Sequence, residues 1–150
     1  MKMKKKITFI IICLTIYSCQ NNSKEILPCA IDTQNGFGYV DGRKYTGTCN
    51  IYWNDTITWK TRSYKRGIIV KEIGYWLPGG EIEYIGNRKD GYIHGDFISY
   101  YPNGEVSIKG KVNKGKYIGE WNYWDDDGSL NKTLNYNKKG EKIDSIFHKQ

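Results

Sequence analysis

Two kinds of apolar patterning divide the chain. Ile7 to Ile16 is an almost unbroken apolar run that follows Lys2, Lys4, Lys5 and Lys6 and gives way to small, polar Ser18. From about residue 41 the apolar side chains come instead in short segments rich in β-branched and aromatic residues, such as Glu105 to Val112 and Ile118 to Trp124, cut by glycine-containing turns. Segments of that length and composition predict β-strands, and the punctuation between them predicts hairpins. Beyond the first twenty residues nothing carries the period of a helix.

The strand pattern repeats. GDFISYYPNG, Gly95 to Gly104, moved forward by 24 residues falls on GEWNYWDDDG, Gly119 to Gly128. Moved backward it falls on KEIGYWLPGG, Lys71 to Gly80, and then on GTCNIYWNDT, Gly47 to Thr56. Without a gap, Cys49, Ile73, Phe97 and Trp121 align, as do Tyr52, Trp76, Tyr100 and Trp124. Gly80, Gly104 and Gly128 share one turn position, and Gly67, Gly91 and Gly115 a second, with Gly140 displaced from the latter by one. The first turn reads PNG, PGG or DDDG; the second reads YKRG, RKDG, NKGK or NKKG. Glycine suits both, because tight hairpin turns place residues at positive φ, where a Cβ is penalised.

The expected fold is therefore all-β: an antiparallel meander of about nine or ten short strands, built from tandem 24-residue hairpins that bury surface by stacking on their neighbours. Phe97, Ser99 and Tyr101 would share one strand face, and Ile98 and Tyr100 the other. Rings on both faces suit a single twisted layer, in which each cross-strand aromatic pair adds roughly 0.2–1 kcal/mol. A closed barrel suits an open-ended repeat less well.

Composition agrees with sheet. Tyr (13) and Trp (5) dominate the aromatics, Ala appears once, at Ala30, and 150 residues allow one domain. The formal charge of +7 invites a nucleic-acid reading, but the N-terminal segment removes it. Its basic start, apolar run and small residue have the build of a secretory signal, too short for a comfortable membrane span. Leu14 to Cys19 looks like a loose bacterial lipobox, with Cys19 as the lipid acceptor and bulky Tyr17 as a departure from its tightest form; the alternative is an uncleaved N-terminal anchor. The organisation expected is a signal peptide over 1–18, a lipid-anchored linker over 19–28 and a repeat domain over 29–150. Loss of the four signal lysines leaves 19 basic against 16 acidic residues, spread along the chain beside turns. Such charge solubilises turns and forms no basic stripe, so no nucleic-acid partner is expected.

Export also changes the cysteine count. Cys13 leaves with the signal and Cys19 takes lipid, so Cys29 and Cys49 remain, in a compartment that permits a disulfide. Closing that loop is worth about 3 kcal/mol in the chain-entropy model; the alternative is two free buried thiols. Neither His94 nor His148 has the spacing of a metal site with them.

At these residues a family resemblance emerges. Lys116-Tyr117-Ile118-Gly119-Glu120-Trp121 and Tyr45-Thr46-Gly47-Thr48-Cys49 resemble the Y-x-G-x-W core of MORN repeats, and the longer frame is similar to the bacterial MORN-repeat-variant family over about residues 41–142. The resemblance implies an extended array of antiparallel hairpins used for contacts, with some members labelled antitoxins and many others exported lipoproteins. It implies no catalytic residue. The first unit, with Cys49 for Trp and Thr56 for the turn Gly, has the look of a capping repeat.

Local motifs add little chemistry. Asp125-Asp126-Asp127-Gly128 has the oxygens of a calcium loop, but the following residues lack further ligands, and it occupies the place of PNG. His94 stands where Val70 and Ile118 stand in other units, and neither Ser99 nor Thr58 has an orienting acid at a recognisable spacing. Glu81, Glu83 and Glu105 would serve as carboxylates of a weak glycan hydrolase, yet glutamate beside a turn is ordinary. No enzyme activity, metal or cofactor is expected. The candidate binding residues are Tyr75, Trp76, Tyr100, Tyr101, Tyr123 and Trp124, which repeat with the array and suit a protein partner or stacking on sugar rings; the alternative makes them the core. The expected function is that of an envelope lipoprotein, lipid-anchored to a bacterial membrane, serving as a protein-contact or scaffold module. The alternatives are an antitoxin-like neutraliser or a glycan-binding surface protein.

Overall fold

The structure is a computed structural model that describes residues 27–28 and 31–148. The described residues form thirteen strands and no helix: β1 (Leu27–Pro28), β2 (Asp32–Gln34), β3 (Phe37–Val40), β4 (Arg43–Lys44), β5 (Gly47–Tyr52), β6 (Thr58–Lys65), β7 (Ile68–Tyr75), β8 (Ile82–Lys89), β9 (Tyr92–Tyr100), β10 (Val106–Asn113), β11 (Lys116–Trp124), β12 (Leu130–Tyr136) and β13 (Lys142–Phe147). Strands β5 to β13 pair antiparallel in chain order, and β1 extends the same open sheet parallel to β5. The all-β meander of hairpins is thus what the repeat dictates. The signal segment and Cys19 lie outside the described residues, but Leu27–Pro28, in the stretch read as linker, pairs with Cys49 and Asn50.

Two turn types alternate, which explains the two glycine series. At one sheet edge both turn residues have positive φ, as at Asp90 (53°) and Gly91 (81°) or Lys114 (48°) and Gly115 (78°), the signature of a two-residue type I′ hairpin. At the other edge the turn is wider: Tyr101 N–H donates to Glu105 O (2.8 Å), Gly104 N–H donates back to Tyr101 O (2.9 Å), and Gly104 sits at φ 89°. The first wide turn, with Thr56 in place of glycine, closes through Trp53 N–H and Ile57 O (2.8 Å) because the Asn54 carboxamide oxygen accepts from Thr56 and Ile57 N–H. One grouping by sequence is corrected: Asn137 to Gly140 forms a wide turn, with Asn137 N–H on Glu141 O (2.9 Å), which is why Gly140 is out of step.

The register corrects a second reading. On one face Cys49 pairs with Arg62, Arg62 with Glu72, Glu72 with Gly86, Gly86 with Phe97 and Phe97 with Gly110. Glu72, not Ile73, therefore holds the place of Cys49, Phe97 and Trp121, each four residues before the first residue of a wide turn. The turn between β7 and β8 has one extra residue, running from Trp76 N–H to Glu81 O with a cis Leu77–Pro78 bond, and this displaces the alignment.

Glycines opposite rings build the core of this face. Trp121 (1% exposed) lies so close over Gly110 that a Cβ there would meet its ring at 2.3 Å. Its indole stacks on Phe97 (6.0 Å) and Tyr117 (3.9 Å) and donates to Lys111 O (3.1 Å), while Tyr84 covers Gly74 and stacks on Phe97 (6.1 Å). The other face carries Ile73, Ile85 and Ile98 side by side at mid-sheet. Toward each end of that row an Asn–Thr pair takes over, three repeats apart. Thr61 donates to Asn50 (2.7 Å) beside Tyr75 (3.0 Å), and Thr133 donates to Asn122 (2.7 Å) beside His148 (3.0 Å). These contacts satisfy two buried hydroxyls that would otherwise cost about 1–3 kcal/mol each.

A second, three-stranded sheet, β2–β3–β4, was not anticipated. It docks on the turn at Arg66–Gly67, where Gly38 N–H donates to Gly67 O (2.8 Å) and Gly67 N–H to Tyr45 O (2.6 Å).

Candidate functional site

Five of the six aromatics singled out by repeat spacing line one groove of about 480 Å³ along the wide-turn edge: Trp76, Tyr100, Tyr101, Tyr123 and Trp124. Tyr75 lies apart, in a hydroxyl-rich depression with Thr48, Asn50, Thr61 and Ser63. All six are half-buried, and the fully buried ring among the described residues is Trp121.

Hydrogen bonds between repeats fix the rings. Trp76 donates its indole N–H to Tyr100 O (3.1 Å), and Tyr101 donates its hydroxyl to Trp124 O (2.8 Å). Asn103 adds a third link in the same direction, to Asp126 O (2.7 Å). The polar atoms of Trp76 and Tyr101 are thereby turned into the protein. Lys132 sits 4.8 Å over the Tyr123 ring. Burial, with the neighbouring Tyr136 and Tyr117, pushes the Tyr123 phenol up to about 12, so it stays protonated at neutral pH.

The polar lining has an origin that sequence reasoning missed. Each strand leaving a wide turn carries a β-bulge, so that one extra residue faces the partner strand. In the four 24-residue units the extra residues are Trp59, Glu83, Ser107 and Asn131, again 24 apart, and after the last turn it is Ile143. Glu83, Ser107 and Asn131 all line the groove, joined by Ser99, Asp125 and Lys132. Ser99 and Ser107 share a hydroxyl contact of 2.8 Å, and Asn131 donates to both Asp125 carboxylate oxygens (2.8 and 3.1 Å).

No protein-family model matches the chain, and no curated protein matches it. Among solved structures it is similar to a crystal structure of the GtfA/B complex bound to UDP and GlcNAc, at 13% identity and a TM-score of 0.28, covering 82% of this chain and 27% of that one. The chain spans about a quarter of that protein's length, and a likeness this low carries no argument.

The remaining candidates sit elsewhere. Glu81 and Glu105 are exposed in their turns, and only Glu83 enters the groove. Asp127 holds a turn, accepting from Ser129 N–H (2.8 Å) and hydroxyl (2.7 Å), bonds that keep its carboxyl below the ordinary value. His94 is half-buried, and its Nδ1 has no hydrogen-bond partner. Cys49 is 1% exposed and disulfide-bonded; Cys29 lies outside the described residues.

One charged cluster escaped the sequence altogether. Glu72, 3% exposed, accepts from Arg62 Nε (2.7 Å), Arg88 (3.0 Å) and the Tyr84 hydroxyl (2.9 Å). Burial alone would raise its pKa, but these three donors outweigh it and hold the carboxyl at about 2. Burial and the same carboxylate raise the Tyr84 phenol well above its ordinary value. A carboxylate so fully paired acts as a structural anion, not as a proton carrier.

Proposed function

We propose that the protein is a non-enzymatic contact module: an exported lipoprotein of MORN-variant repeats, held on a bacterial envelope membrane through lipid on Cys19, that docks a partner in the aromatic groove. The observation that carries the reading is the groove itself, where the rings of Trp76, Tyr101 and Tyr123 share one sheet face and hydrogen bonds to Tyr100 O and Trp124 O hold two of them in place. Rings fixed in advance lose little freedom on binding, which is what anchor residues of contact surfaces need. The resemblance to MORN variants and the pairing of Cys29 with Cys49 belong to the same proposal, the latter supported by the strand pairing of Leu27 with Cys49.

A photo-reactive amino acid at Pro102, on the groove wall, is expected to give adducts in intact envelope that disappear when Tyr101 and Tyr123 are replaced by Ala. Absence of adducts, or adducts indifferent to those changes, refutes the docking surface. Palmitate labelling that survives Cys19→Ala refutes the anchor. A second reading, glycan binding, is favoured over antitoxin action by the polar side chains set among the rings.

A further inference from the structure

The groove belongs to a longer ladder. At the wide-turn edge each repeat contributes two side chains: the residue that opens the turn and the bulge residue of the next strand. The rungs are Trp53 with Trp59, Trp76 with Glu83, Tyr101 with Ser107, and Asp125 with Asn131. The first rung lies beyond the groove yet is built the same way. Trp53 and Trp59 meet edge to face at 6.4 Å, and both remain exposed, at 66% and 39%. Successive rungs are two strands apart, which places them about 10 Å from one another across the sheet.

We infer that this ladder binds a linear β-1,4-linked glycan laid across the strands, with one disaccharide step per rung. The inference rests on the groove being the docking surface. A pyranose offers an apolar C–H face and a rim of hydroxyls. The rungs offer hydrogen-bonded rings at Trp76 and Tyr101 and an exposed one at Trp53, with carboxylate, hydroxyl and ammonium groups at Glu83, Ser107 and Lys132 along the groove. The spacing matches the repeat of an extended β-1,4-linked chain, in which alternate residues present the same face. An apolar protein segment fits less well, because it would bury Glu83 and Lys132 against groups unable to hydrogen-bond them.

The test titrates the full chain in detergent with chito- and cello-oligosaccharides of two, four and six residues, following tryptophan fluorescence. Affinity for at least one series is expected to rise with length. Trp53→Ala, a change at an exposed ring, is expected to weaken the hexamer about tenfold and the dimer by a smaller factor, since the dimer can still use the other rungs. No response to any oligosaccharide, or a hexamer indifferent to Trp53→Ala, overturns the inference. If the Pro102 adducts persist in envelope and prove to be protein, the docking surface stands and the glycan assignment falls. If there are neither adducts nor oligosaccharide binding, both fall.

Discussion

Glu72 offers the sharpest test of how the sheet is held together. Its carboxyl titrates at about 2 in the folded chain against an ordinary 4.5, a difference worth about 3 kcal/mol at roughly 1.4 kcal/mol per pH unit. Because the folded value is depressed, the unfolded chain binds the extra proton. The stabilisation is complete above about pH 4.5 and is lost as the pH falls toward 2. Glu72→Gln removes the anion but leaves Arg62 and Arg88 close together in the same partly enclosed place. Losing one member of such a buried set costs about 3–5 kcal/mol at pH 7. Urea denaturation of both proteins between pH 7 and 2.5, followed by tryptophan fluorescence, gives the comparison. The gap between wild type and variant should be largest at pH 7 and shrink by about 2–3 kcal/mol by pH 2.5, where part of the contribution remains. Surface carboxylates contribute equally to both curves and cancel. A gap that stays constant with pH refutes the assignment.

Three further outcomes follow from the packing. Gly110→Ala should cost about 1–3 kcal/mol, because the new methyl meets Trp121 at 2.3 Å, whereas Gly86→Ala, with its nearest neighbour at 3.5 Å, should be close to neutral; equal costs in denaturation would contradict the ring-over-glycine core. Trp121→Ala should lose about 3–5 kcal/mol and sharply reduce near-ultraviolet circular dichroism, and a loss below about 1 kcal/mol would show that the stack is not a core. Reduction of the Cys49 disulfide should lower stability by about 3 kcal/mol, and peptide mapping of the unreduced chain that joins Cys49 to anything other than Cys29 would refute the proposed pairing.

The repeat step and the two glycine series made the meander legible, because a tight turn demands positive φ wherever it recurs, and few residues meet that demand. The register was not legible to a single residue. One extra residue in the turn before Glu81 shifts the column, so Ile73 looked equivalent to Phe97 while Glu72 occupies the place. An apolar column with one glutamate in it also gives no hint that Arg62 and Arg88 converge there from other strands. Five of the six candidate residues line the groove because repeats translate position to position, although alternation gives the Tyr100 and Trp124 side chains to the other face. The bulges escaped notice because a bulge is a backbone event. Trp59, Glu83, Ser107 and Asn131 keep perfect step while sharing no side-chain chemistry, so no alignment by residue type singles them out. Trp53 and Trp59 were overlooked for the same reason.

The hydrogen bonds that lead from Trp76 to Tyr100, from Tyr101 to Trp124 and from Asn103 to Asp126 all point one way along the chain. In these three contacts each hairpin leans on its successor, which supplies a carbonyl. The array is therefore polar in a mechanical sense. Loss of a downstream unit leaves an upstream ring without its anchor and free to swing. At these contacts, loss of an upstream unit only bares a carbonyl, which water can satisfy. Removal of a C-terminal unit should therefore free the ring anchored on it, while removal of an N-terminal unit should leave the remaining rings anchored.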